Sequence, residues 1–146
     1  MRTIPYYPTL KYAVSEKVKT ILEELKVNKS EYHLEEFSIE RNDEKFYFLF
    51  IPLLKSIEYL DFSKSVFIEN MEENEIIFDN YEQYTESFCR AKTLYVKKEL
   101  ENREIVSLQA GGPFYSERII EAFQKQNVIG YEIISGGDFK IDLHFK

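Results

Sequence analysis

The chain has 146 residues, 26 of them acidic against 19 basic, for a formal net charge of −7. That length fits one domain, spanning 1–146, and buries roughly 70% of the unfolded surface without a disulfide or metal staple. The single cysteine, Cys89, excludes an intrachain disulfide framework, and the acidic balance argues against nucleic acid, whose phosphates ask for a basic face.

Residues 1–9 read as irregular, because Pro5 and Pro8 interrupt them. A signal peptide would need an apolar run there. The apolar run 46–54 is too short for a bilayer, which takes about 20 residues. The expectation is a soluble, cytoplasmic chain with no membrane partner. Leu10, Tyr12 and Val14 alternate as in a short strand. A helix is predicted over 15–26, with Val18, Ile21, Leu22 and Leu25 on one face.

Tyr32, Leu34, Phe37 and Ile39 suggest a strand whose register slips between Leu34 and Phe37. Residues 41–44 read as a hairpin connection. The apolar run 46–54 then predicts a central strand, and Pro52 its end or a bulge, because proline cannot donate to a ladder. Residues 56–61 fit a loop or one helical turn. Short strands are expected at 65–69 and 76–78. Residues 80–90 fit helix or strand equally. A strand at 91–96, a helical turn at 97–102, a strand at 104–108 and a tight turn at Gly111-Gly-Pro113 follow.

The best-written stretch is 114–134. Ser116 can cap a helix, Glu117 suits its positive end, and Ile119, Ile120 and Phe123 share one face. Asn127 is a left-handed stop, and 128–134 has the β-branched content of a strand. Ser15, Glu16, Val18, Leu22 and Val27 repeat this phrase at a constant offset, as any two capped amphipathic helices would, and two copies make no repeat array. A Gly136-Gly-Asp138 hairpin turn should lead to a last strand. There Phe139, Ile141, Leu143 and Phe145 share one face, and Lys140, Asp142, His144 and Lys146 the other. The fold class is α+β: a mixed, mainly antiparallel sheet, two principal amphipathic helices, and one layer of helices on the sheet.

Between Lys64 and Arg90 no residue is basic. Glu69, Glu72, Glu73, Glu75, Asp79, Glu82 and Glu86 equal the whole net charge, and Tyr81, Tyr84 and Phe88 interleave with them. Such a run is either a solvated edge or a docking surface for a basic protein, where acids steer encounter and tyrosines anchor. His33, beside Glu35 and Glu36, and His144 are the only imidazoles, so no metal-ligand spacing is visible and no cofactor is implied. Cys89 reads as an inert thiol, and Ser116 as a cap rather than a nucleophile. No residue is assigned to catalysis.

Several words stand in order: the apolar strand from Phe46, the loop with Leu60-Asp61, the strand with Ser65, then Thr93-Leu-Tyr-Val96, Ile105-Val-Ser-Leu108, Tyr115-Ser-Glu-Arg-Ile119 and Val128-Ile-Gly-Tyr-Glu132. Over residues 44–134 this order resembles the eleventh-numbered family of immunity proteins from bacterial polymorphic toxin systems. The resemblance implies a small cytoplasmic protein that neutralises a cognate toxin domain by binding and occlusion, without catalysis or cofactor. Many such toxins are basic and act on nucleic acid, which suits the acidic segment. It carries over no binding residue. The residues themselves leave two other readings open: an enzyme using Glu/His acid–base chemistry, and an adaptor that pairs through a sheet edge.

Overall fold

The computed structural model describes residues 9–146. The predicted irregularity of 1–8 lies outside them, and Thr9 already begins a strand. The strands are β1 (Thr9–Ser15), β2 (His33–Phe37), β3 (Phe46–Pro52), β4 (Val66–Glu69), β5 (Glu75–Ile76), β6 (Cys89–Val96), β7 (Ile105–Leu108), β8 (Gly111–Tyr115) and β9 (Asp142–Phe145). The helices are α1 (Glu16–Glu24), α2 (Ser56–Tyr59), α3 (Tyr81–Thr85) and α4 (Glu117–Lys125), with a 3-10 turn at Lys98–Asn102. The fold is α+β and mainly antiparallel, and its strands divide among three sheets. The chain forms two compact units. One holds 9–53, Arg103–Ser107 and Pro113–Tyr131; the other holds Leu54–Asn102, Leu108–Gly112 and Glu132–Lys146.

In the first unit β3 is central, in the order β1-β3-β2, with antiparallel pairing on both sides. Its alternation sorts two environments. Leu49 and Ile51 face a core with Val18, Ile21 and Leu22 of α1, Ile119 and Phe123 of α4, and Ile105. Phe46, Phe48 and Phe50 point the other way. There the Phe37 and Phe48 rings stack at 4.1 Å, and Lys11 Nζ lies 4.0 Å from the Phe48 ring centroid. Pro52 ends β3, where its missing N–H costs no ladder bond. The β2 register runs unbroken from His33↔Phe50 to Phe37↔Phe46, so the expected slip is absent. The irregularity falls instead between Val66 and Phe67 of β4.

α1 and α4 are both nine residues long and end alike. Lys26 and Asn127 each take φ 54°. The following amides reach back, Val27 to the Leu22 carbonyl at 3.1 Å and Val128 to the Phe123 carbonyl at 2.9 Å. This left-handed stop satisfies carbonyls that a helix end leaves without partners. The N-termini differ. Ser116 Oγ accepts from Ile119 N–H at 3.3 Å, while Ser15 makes no side-chain cap. Buried Glu31 stitches the unit: its Oε1 accepts from the N–H groups of Glu104 and Ile105, both at 2.8 Å.

Three predicted features take another form. Residues 128–134 are irregular, not a strand. Gly130 sits at φ 87°, and β-branched content cannot make a strand where no neighbouring lane accepts it. Gly111-Gly-Pro113 lies within β8, and the turn falls at Gln109-Ala110. A Cβ at Gly111 would meet Ile141 Cδ1 at 2.8 Å, a contact that the flexible end of that side chain can relieve by shifting. β9 is no hairpin arm. It runs parallel to β6, at the end of the order β5-β4-β6-β9. Residues 80–90 supply both alternatives, α3 and the start of β6.

Left-handed backbone costs a lysine more than an asparagine, and glycine nothing. Lys26→Gly should therefore stabilise the chain by about 1 kcal/mol in chemical denaturation, and Asn127→Gly by clearly less. Equal effects at the two sites would contradict matching helix stops.

Candidate functional site

The acidic segment is part of the second unit and starts from a hairpin. β4 and β5 pair Phe67 with Ile76 and Ile68 with Glu75. Glu73, at φ 56°, turns the connecting loop, and its amide donates to the Glu69 carbonyl at 2.9 Å. α3 follows. Asn80 caps it, Oδ1 accepting from Gln83 N–H at 3.0 Å, while Gln83 Oε1 accepts from Asp79 N–H at 3.1 Å. Asn70 N–H donates to the Phe88 carbonyl at 3.0 Å, which ties the hairpin loop to the start of β6.

Aromatic packing holds this excursion down. Phe67 has no exposed surface. The Tyr84 ring lies 5.1 Å from Phe67, 5.5 Å from Phe62 and 5.9 Å from Phe78, between centroids. Tyr81 adds an edge contact to Phe62 at 6.0 Å. Pairs at such spacings add about 0.5–1.5 kcal/mol each beyond area burial. The two tyrosines expected to anchor a partner are thus half-buried members of an internal cluster.

The charged side chains point outward. Glu72, Glu73, Glu75, Asp79, Glu82 and Glu86 are exposed, and Glu69 is half-buried. Lys92 pairs with Glu75. Among them stand apolar side chains that sequence reading did not select: Met71 is 86% exposed and Ile77 58%, and Phe88, noted only as interleaved, is 83% exposed. For Met71 the signal was a lone apolar residue inside an acidic context, with Asn70 and Asn74 marking the loop around it, whereas Ile77 lies within the apolar run 76–78 and carried no such signal.

The two histidines belong to different units. His33 stacks on Phe50, and its Nε2 lies 3.2 Å from Glu35 Oε1 in an exposed pair of the first unit. His144 belongs to the second unit and stacks on Tyr95 at 4.7 Å. Burial pushes the Cys89 thiol above its ordinary value, opposite to the activation a nucleophile needs. Among the described residues no group of three or more His, Cys, Asp or Glu could hold a metal ion, and no helix is long and apolar enough to cross a membrane.

No protein-family model matches this chain, and neither a curated protein nor a solved structure matches it.

Burial also holds the Tyr84 phenol above its ordinary value of 10.0. The neutral ring is what the cluster accepts, so its contribution is complete below the ordinary tyrosine range and is lost as pH rises through the raised value. Tyr84→Phe keeps the ring and removes the titrating group. Its stability near neutral pH should lie within about 1 kcal/mol of the parent, and it should gain on the parent as pH rises above 10. Tyr84→Leu should lose about 1–3 kcal/mol. Parallel stability–pH curves for Tyr84→Phe and the parent would contradict this placement.

Proposed function

We propose that the chain is an immunity-type inhibitor: it binds a basic toxin domain through the 69–88 surface and neutralises it by occlusion in the cytoplasm. One observation carries the reading. A segment holding the whole net charge of the chain is pinned from beneath by the Phe67–Phe78–Tyr84 cluster and shows Met71, Ile77 and Phe88 to solvent amid its acids.

Apolar side chains ringed by charge have the anatomy of an interface core and rim. The carboxylates raise encounter with a cationic cleft and weaken as salt screens them. The exposed apolar groups supply residence time once desolvated. A frame already ordered by aromatic packing and caps loses little entropy on binding. The resemblance of residues 44–134 to immunity proteins supports the same reading, and no step in it needs a covalent bond.

The test is co-expression with basic toxin domains, beginning with any that is encoded directly upstream, followed by binding kinetics on the purified pair. The parent chain should restore growth. The combined variant Glu72→Gln, Glu73→Gln, Glu75→Gln and Asp79→Asn should associate roughly tenfold or more slowly at low salt, with a flattened salt dependence. Phe88→Ala should leave association unchanged and cost about 2 kcal/mol through faster dissociation. Association and salt dependence equal to the parent's would overturn the surface assignment.

A further inference from the structure

Phe139 reads in sequence as part of the apolar face of the last strand, yet it lies outside that strand and is 75% exposed. It stands instead in a turn. Gly137, at φ 79°, bends the chain, and Lys140 N–H donates to the Gly137 carbonyl at 3.3 Å. A single exposed ring needs no explanation, but one fastened beside other exposed apolar groups does.

Arg90 does the fastening. It lies near the start of β6, opposite Ile68 of β4. Its Nε donates to the Asp138 carbonyl at 3.2 Å, and its NH1 donates to Asn70 Oδ1 at 3.5 Å. Asn70 N–H in turn donates to the Phe88 carbonyl at 3.0 Å. One guanidinium therefore links three pieces of the second unit, and each carries an outward apolar side chain. Phe139 follows Asp138, Met71 follows Asn70, and Phe88 supplies the carbonyl; Met71 is 86% exposed and Phe88 83%. The planar fork suits this task, because its donors reach two oxygens in fixed directions. Neither oxygen is charged, so the link consumes none of the acids around it.

We infer that Phe139 is a further partner-contact residue of the docking surface, and that Arg90 is the positioning residue that sets it beside Met71 and Phe88. The inference rests on the reading of 69–88 as a docking surface and enlarges that surface to the 137–140 turn. The partner it fits is a basic protein segment bearing aliphatic or aromatic side chains. Its cations meet the exposed Glu72, Glu73 and Asp138, and its apolar groups meet Met71, Phe88 and Phe139.

A random peptide library displayed on phage, panned on the purified chain, supplies the probe. Enriched peptides should combine Lys or Arg with aliphatic or aromatic residues. Phe88→Ala and Phe139→Ala should each weaken a synthetic copy of such a peptide roughly tenfold or more. Arg90→Ala should weaken it comparably and speed hydrogen exchange at the Lys140 amide, while circular dichroism stays that of the parent. Once Phe139 is replaced by alanine, losing Arg90 as well should cost little more, because Arg90 acts through that ring. Binding that falls in Phe88→Ala but not in Phe139→Ala would overturn this inference and leave the 69–88 surface standing. A full further loss from Arg90→Ala in the Phe139→Ala background would overturn the positioning role. Peptides indifferent to both phenylalanines, or no enriched basic peptide, would overturn the inference and the surface together.

Discussion

The burial of Phe67 is the contact on which the acidic half of this chain depends. Seven carboxylates within 69–86 repel one another, and left to themselves they favour an extended, solvated coil. One fully buried ring opposes that tendency. Phe67 meets Phe78 at 5.2 Å and Tyr84 at 5.1 Å, so the chain is fastened before and after the charged hairpin loop. Asn80, Gln83 and the Asn70–Phe88 bond then fix the intervening backbone. The charge is therefore carried on a frame, as the proposed docking surface requires.

The first unit solves a different problem with the same economy. Two nine-residue helices are short for independent stability, so their ends must be closed and their apolar faces shared. Left-handed stops close both C-termini, and Arg118 NH2 donates to the Leu25 carbonyl at the end of α1 at 3.0 Å. Glu31 reaches the start of β7, which feeds Ile105 into the core shared by α1 and α4. Buried Glu31 is placed against backbone N–H groups that would otherwise lack a partner, whereas the buried Ser107 hydroxyl has none among the described residues.

Much of this was legible in the residues. The capped helix from Ser116, the central strand ending at Pro52 and the wet face of the last strand follow from periodicity, caps and proline chemistry. The illegible parts were contests between local preference and the number of sheet lanes. Residues 128–134 read as strand because their side chains suit one, but pairing is non-local and nothing in the stretch reports it. β9 read as a hairpin arm because of Gly136-Gly-Asp138, while its partner β6 lies nearly fifty residues earlier and runs parallel. At the candidate surface the acids were plain from charge alone. The inward role of Tyr84 was not, because an interleaved tyrosine looks the same whether its ring faces solvent or Phe67. Phe88, Met71 and Ile77 stood out only after exposure was known.

The central claim is that the acids are displayed on an ordered frame, and amide hydrogen exchange on the free chain tests it most directly. The informative amides are Asn70, Tyr84 and Glu86, whose backbone partners are the carbonyls of Phe88, Asn80 and Glu82. The account predicts that they exchange far more slowly than in an unstructured peptide of the same sequence. Exchange at the unstructured rate throughout 69–88 would contradict it, because a fluctuating acidic coil offers no prepared surface to a partner.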